Sequence, residues 1–96
     1  MASVLHVELE VKEGAVDALL ETYRSTFRPA ITRQEGFRAV RLLRPLNAPG
    51  YRLVIEFAEE AQRLRWVASD LHQQVWPQVE SHCSGYTPNL FSEVEG

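Results

Sequence analysis

The chain has 96 residues, 45% of them apolar and 24% charged, with 10 basic residues against 13 acidic ones and a formal net charge of −3. So short a chain predicts a single domain over residues 1–96, and its acidic balance argues against nucleic acid or an anionic membrane surface as partner. A domain of this size buries only about two-thirds of its unfolded surface, so the high apolar share predicts burial of the remainder against a second copy. No run of about 18 apolar residues and no basic-then-apolar leader is present, so the chain is expected to be soluble and cytoplasmic. The single cysteine, Cys83, excludes an internal disulfide framework and any Cys-x-x-Cys metal or redox motif.

Residues 4–11 alternate with period two: Leu5, Val7, Leu9 and Val11 on one face, His6, Glu8 and Glu10 on the other. That is a strand with one buried face. After Gly14, the apolar residues Val16, Leu19, Leu20, Tyr23, Phe27 and Ile31 recur every three or four positions and predict an amphipathic helix into the early thirties. Pro29 lies within it and predicts a kink or a restart. Gly36 follows as a stop.

Residues 37–44 form a second strand with two mixed faces, Phe37, Ala39 and Leu43 against Val40 and Leu42. The segment Pro45-Leu46-Asn47-Ala48-Pro49-Gly50 is a loop, and Tyr51–Phe57 is a third strand. From Glu59 a helix carries Leu64, Val67, Ala68, Leu71 and Val75 on one side. Ser69-Asp70 supplies two good N-cap residues, predicting a break with a second helix opening near Asp70. Pro77 predicts a further restart. Gly85 closes the region, and Tyr86–Val94 is a last strand that Pro88 assigns to a sheet edge or a bulge.

The order is β-α-β-β-α-β, an α+β ferredoxin-like arrangement with helices on one face of a four-stranded antiparallel sheet. Strands 1 and 3 are then central neighbours. Their other face shows His6, Glu8 and Glu10 beside Arg52, Val54 and Glu56. A solvated face and a face packed on a partner's sheet are both compatible with that mixture.

Nucleotide-binding glycine loops, Gly-x-Ser-x-Gly elbows and His-Glu-x-x-His motifs are absent. RNA-recognition domains of this topology need a basic surface with exposed aromatics on the central strands. Here Tyr51 and Phe57 share a face with Leu53 and Ile55, and the charge is acidic. Metallochaperones of this topology need paired cysteines.

One pattern is distinctive: Trp66-Val67-Ala68-Ser69-Asp70-Leu71-His72, a Trp-x-x-Ser-x-x-His after strand 3. With it, Val11-Lys12-Glu13-Gly14, Glu35-Gly36-Phe37 and Glu56-Phe57 make the chain resemble the antibiotic biosynthesis monooxygenase family of the dimeric α+β barrel superfamily over nearly its whole length. The resemblance implies a homodimer packed sheet on sheet, one pocket per subunit between helices and sheet, and oxidation of small aromatic, quinol-type substrates by O₂ with no metal, flavin or haem. Such chemistry needs an apolar slot, a proton acceptor and donors for a developing oxyanion.

Carried over by position, the family's Trp matches Trp66, its amide residue one turn earlier matches Gln62, and its polar residue six later matches His72, a base suited to neutral pH. Leu19, Tyr23, Phe27, Leu64 and Trp66 would supply the slot. The Arg that some members place at the start of the last strand is unmatched, since Tyr86 falls there, and this favours the alternative of a non-catalytic dimeric small-molecule-binding domain. The haem-degrading branch is disfavoured: strand 1 has no Asn, and Trp76 stands where that branch has its ligating His.

Plainer readings stand beside these. On an unbroken helix Trp66 falls off the core stripe, about 160° from Leu64. His72 can simply cap a short helix, His6 sits on a sheet face, His82 and Cys83 read as structural, and Trp76 reads as an interface or core residue.

Overall fold

The computed structural model describes all 96 residues. In chain order the elements are β1 (Ser3–Val11), α1 (Val16–Thr22), a π-helical segment (Tyr23–Phe27), α2 (Arg28–Ile31), β2 (Phe37–Leu43), β3 (Tyr51–Phe57), α3 (Glu60–Ala68), α4 (Asp70–Glu80) and β4 (Cys83–Ser92). The strands form one antiparallel sheet in the order β2-β3-β1-β4. This is the ferredoxin-like α+β fold.

Period-two alternation sorts the two central strands. The register sets Leu5 opposite Ile55, Val7 opposite Leu53 and Leu9 opposite Tyr51. These side chains meet Leu19, Phe27, Ile31, Trp66, Val75 and Val79 in one hydrophobic cluster. Phe27, Phe57, Leu9, Leu19, Ile31 and Leu53 are almost wholly excluded from solvent, and each contributes about 1.5–3 kcal/mol of burial.

The mixed faces of β2 are resolved by an irregularity of register between Phe37 and Ala39. The extra residue, Arg38, turns Phe37 to the helix side together with Val40 and Leu42. Ala39, Arg41 and Leu43 then pair with Glu56, Val54 and Arg52 on the other face. That outer face carries the ion pairs Glu8–Arg52 and Arg38–Glu56, with Val4, Val54, Leu43 and Phe91 between them.

Three boundaries differ from the sequence expectation. The first helix contains a wide turn at Tyr23–Phe27, where the Arg28 amide bonds to the Tyr23 carbonyl five residues back. The widening accommodates Pro29, which has no amide to donate and whose ring would crowd the Ser25 carbonyl in a regular α-helix. Pro77 does not restart α4; it sits on the exposed side of a helix that continues through it to Glu80. β4 starts at Cys83, so Gly85 lies inside the strand, at a bulge opposite Glu10 and Val11. Pro88 sits in β4, an edge strand, where its missing amide costs no ladder bond to a further strand.

Candidate functional site

Between the helices and the sheet lies an apolar cavity of about 200 Å³. Leu5, Val7, Leu53 and Ile55 of β1 and β3 form its floor, and Phe27, Trp66, Val67 and Trp76 cover it. Tyr86 and Pro88 of β4 close one side. Arg63 and His72 are the two ionisable helix side chains in the lining.

The helix break builds this arrangement. Ser69 is extended (φ −74°, ψ 152°) between α3 and α4. Its hydroxyl donates to the Trp66 carbonyl at 2.7 Å and accepts the His72 amide at 3.2 Å. One side chain thus closes the last turn of α3 and caps the first turn of α4, which is the physical content of the Trp-x-x-Ser-x-x-His spacing. The result sets the His72 ring edge-on to Trp66 (5.1 Å between centroids, 86° between planes) and stacked over Trp76 (6.4 Å, 16°). Phe27 meets both indoles edge to face, at 6.1 and 6.4 Å, and Tyr86 meets Trp76 at 5.2 Å.

Burial against these rings pushes the His72 pKa below the ordinary histidine value. The imidazole is therefore neutral at pH 7, with a lone pair available to a proton. Arg63 is fixed from behind: its Nε and one terminal nitrogen, Nη2, donate to the two Glu60 carboxylate oxygens, each at 2.7 Å. Ser3 donates to the same carboxylate at 2.6 Å. The Arg63 hydrogen bond, ahead of the smaller contribution of Ser3, holds the Glu60 carboxyl down at about 2 and raises Arg63 further above its already high value.

Of the expected site residues, the structure brings together His72, Trp66 and Phe27 at the cavity. Gln62 does not reach it. Its side-chain oxygen accepts the Glu59 amide in a capping box at the start of α3, and the amide packs over Gly36. Leu64 is corrected from slot residue to surface residue, 53% exposed, because α3 turns Arg63, Trp66 and Val67 inward and Leu64 outward. Leu19 belongs to the closed core and does not line the cavity. Tyr23 stacks on Phe27 at 6.5 Å from outside it, and burial raises its phenol pKa.

Three further residues line the cavity that the sequence does not assign to it: Arg63, Tyr86 and Trp76, the last expected in an interface or the core. For Arg63 the signal was present: positions 63, 66 and 67 follow the i, i+3, i+4 rule for one helix face. A wider and more open concavity, about 720 Å³, lies under the β2–β3 loop beside the charged strand ends Glu8, Glu10, Arg44 and Arg52; it lacks the convergent aromatic lining. No group of three or more His, Cys, Asp or Glu side chains is placed to hold a metal ion. No helix is long and apolar enough to cross a membrane.

A ferredoxin-like α+β domain with an aromatic pocket between helices and sheet is thus the class that fold and site define. The chain belongs to the antibiotic biosynthesis monooxygenase family, whose model matches residues 2–77. The β4 wall of the pocket lies beyond the matched stretch. Among solved structures, the chain is similar to SnoaB, a cofactor-independent oxygenase from Streptomyces nogalater, at 18% identity and TM-score 0.85, covering 99% of this chain and 95% of that one. It is similar to Rv0793 from Mycobacterium tuberculosis at 11% identity and TM-score 0.83, covering 100% and 98%. A dimeric ferredoxin-like protein of unknown function from Jannaschia sp. gives 16% identity and TM-score 0.81, covering 97% and 100%. At these identities the likeness is one of fold. No curated protein matches the sequence.

Proposed function

We propose that this single domain, residues 1–96, is a cofactor-independent monooxygenase that oxidises a small aromatic, quinol-type substrate with O₂. The observation that carries the reading is a histidine, His72, set edge-on to Trp66 and stacked on Trp76 in the wall of an apolar cavity. His72 accepts the acidic proton of the bound ring. The resulting anion is the reductant: one oxygen atom of O₂ enters the ring carbon as a carbonyl, the other leaves as water with the two hydrogens lost from the substrate. Trp66, Trp76 and Phe27 position the ring and exclude water from the anion.

Size agrees with this class. A cavity of about 150 Å³ accepts benzene, so about 200 Å³ suits one substituted ring or a fused pair. Family membership supports the reaction type, and the SnoaB description supports chemistry without a cofactor. The test is O₂ uptake by the protein with a panel of substituted hydroquinones and naphthohydroquinones, comparing wild type with His72→Ala and Trp66→Phe. Uptake that exceeds autoxidation and falls at least tenfold in His72→Ala supports the reading, and uptake equal to autoxidation across the panel refutes it.

A second reading, ligand binding without turnover, is favoured by Tyr86 standing where some family members carry Arg and by Gln62 lying away from the cavity. Tight binding of the same ring compounds with no uptake would establish it. In both readings the working unit is a homodimer joined through the outer sheet face, where Val4, Val54, Leu43 and Phe91 sit among compensated charges; the dimeric Jannaschia protein of like fold supports this. Light scattering on Val54→Lys should convert a dimer of about twice 11.0 kDa to the monomer. A wild-type monomer at micromolar concentration refutes the dimer.

A further inference from the structure

The Arg63 side chain is only 13% exposed, yet it stands in the wall of a cavity whose remaining lining is almost wholly apolar. Charged groups are placed so only at a cost that some interaction offsets. Glu60 offsets part of it, on one edge. The carboxylate takes Nε and Nη2 side-on, and Ser3 holds it in place. Glu60 itself is not in the cavity lining. The other terminal nitrogen, Nη1, makes no hydrogen bond within the chain, so its two N–H donors remain available to a ligand.

We propose that Arg63 is the anion anchor of this cavity and that its ligand is an aromatic ring carrying one oxyanion, a carboxylate or a phenolate, directed at the Nη1 edge. This rests on the reading of the cavity as a ligand site. It adds the charge class of the ligand and moves the cation from β4, at the position of Tyr86, to α3. Glu60 and Ser3 are positioning residues: they fix the guanidinium plane and leave its Nη1 edge without a partner in the chain. Because Glu60 stays ionised beside Arg63, the pair has no net charge. The anion therefore gains a directed, charge-assisted hydrogen bond in place of a full unscreened attraction, and a preference of about tenfold follows, or about 1.4 kcal/mol.

Anaerobic calorimetric titration with 2-naphthoate and its neutral isostere 2-naphthamide reads this directly, without turnover. The wild-type protein should bind naphthoate about tenfold more tightly. Arg63→Gln should bring the two affinities within twofold of each other, chiefly by weakening that for naphthoate. For the phenolate form, 4-nitrophenol should ionise about one pH unit lower when bound to wild type, followed by absorbance, and not when bound to Arg63→Gln.

Equal wild-type affinities for the two naphthyl probes overturn the proposal, and this arm depends on no variant folding. A preference that survives Arg63→Gln overturns it too, as does failure of both probes to bind at millimolar concentration. Anion preference without O₂ uptake would leave the anchor standing and remove the oxygenase, whereas uptake without anion preference would remove the anchor alone.

Discussion

Replacing Ser69 by alanine removes two hydrogen bonds with one atom and tests how the site is held. The accepted bond from the His72 amide is a helix N-cap, worth about 1 kcal/mol and up to about 2. The donated bond ends on the Trp66 carbonyl, which also receives the Ser69 amide at 3.1 Å; losing it leaves no buried acceptor unpaired, so its share is the smaller, about 0.5 kcal/mol. Together they give about 1.5 kcal/mol. For a domain of this size each kcal/mol shifts Tm by about 4–8 °C, so a fall of roughly 6–12 °C is expected in thermal unfolding followed by circular dichroism. Ser69→Asp keeps the cap acceptor and lacks the donor, and should recover more than half of the loss. Ser69→Thr retains both and should recover most of it. A Tm for Ser69→Ala within 2 °C of wild type would refute the linkage, as would Ser69→Asp behaving like Ser69→Ala.

Acid stability should fall in two ranges. His72 has its pKa lowered by burial, so the unfolded chain binds its proton first, and urea-unfolding stability should decline as pH drops below about 6.5; His72→Gln should flatten that limb. Glu60 is held at about 2 against an ordinary 4.5 by Arg63, so its stabilisation is complete above 4.5 and lost towards 2, and Glu60→Gln should remove that second decline. A flat profile from pH 7 to 3 contradicts both assignments. Trp66→Ala should cost about 3–5 kcal/mol in urea titration, while Leu64→Ser, on the exposed side of the same helix, should stay within about 0.5 kcal/mol; similar costs would overturn the orientation of α3. Gly36 has φ +81°, and a Cβ there would sit 1.8 Å from the Gln62 oxygen. Gly36→Ala should therefore combine left-handed strain with loss of the Gln62 cap and cost about 2–3 kcal/mol, measured as a lowered urea midpoint.

Sequence periodicity was enough for the element order, for the faces of β1 and β3, and for the break at Ser69, because each rests on local alternation or a local cap. Trp66 was placed off the core stripe for a physical reason. A single helical wheel drawn from Glu59 to Val79 counts Leu64 and Leu71 on one side, but the extended residue at 69 resets the phase. α3 then buries Trp66 and leaves Leu64 in water. The same reset hid Arg63, because a charged helix residue reads as solvated until its own face is known. In β2 the bulge at Arg38 moves Phe37 to the other face, and no alternation rule registers an inserted residue. Gly85 looked like a terminator and is a bulge position, which delayed the predicted start of β4 past the segment that leads into the pocket.

The wide turn at Tyr23–Phe27 has a consequence for comparing chains of this fold. A π turn is one additional residue absorbed by a helix, so Phe27 covers the cavity only because the count between Val16 and Pro29 is one longer than a regular helix would use. Removing a residue there, Ser25 for instance, would press Pro29 against a carbonyl of a regular turn and swing a different side chain over the cavity. Aligned sequences of equal fold but unequal length at this point hence present different roofs to the cavity, and its shape can drift by single-codon insertion or deletion in a helix that touches no strand ladder.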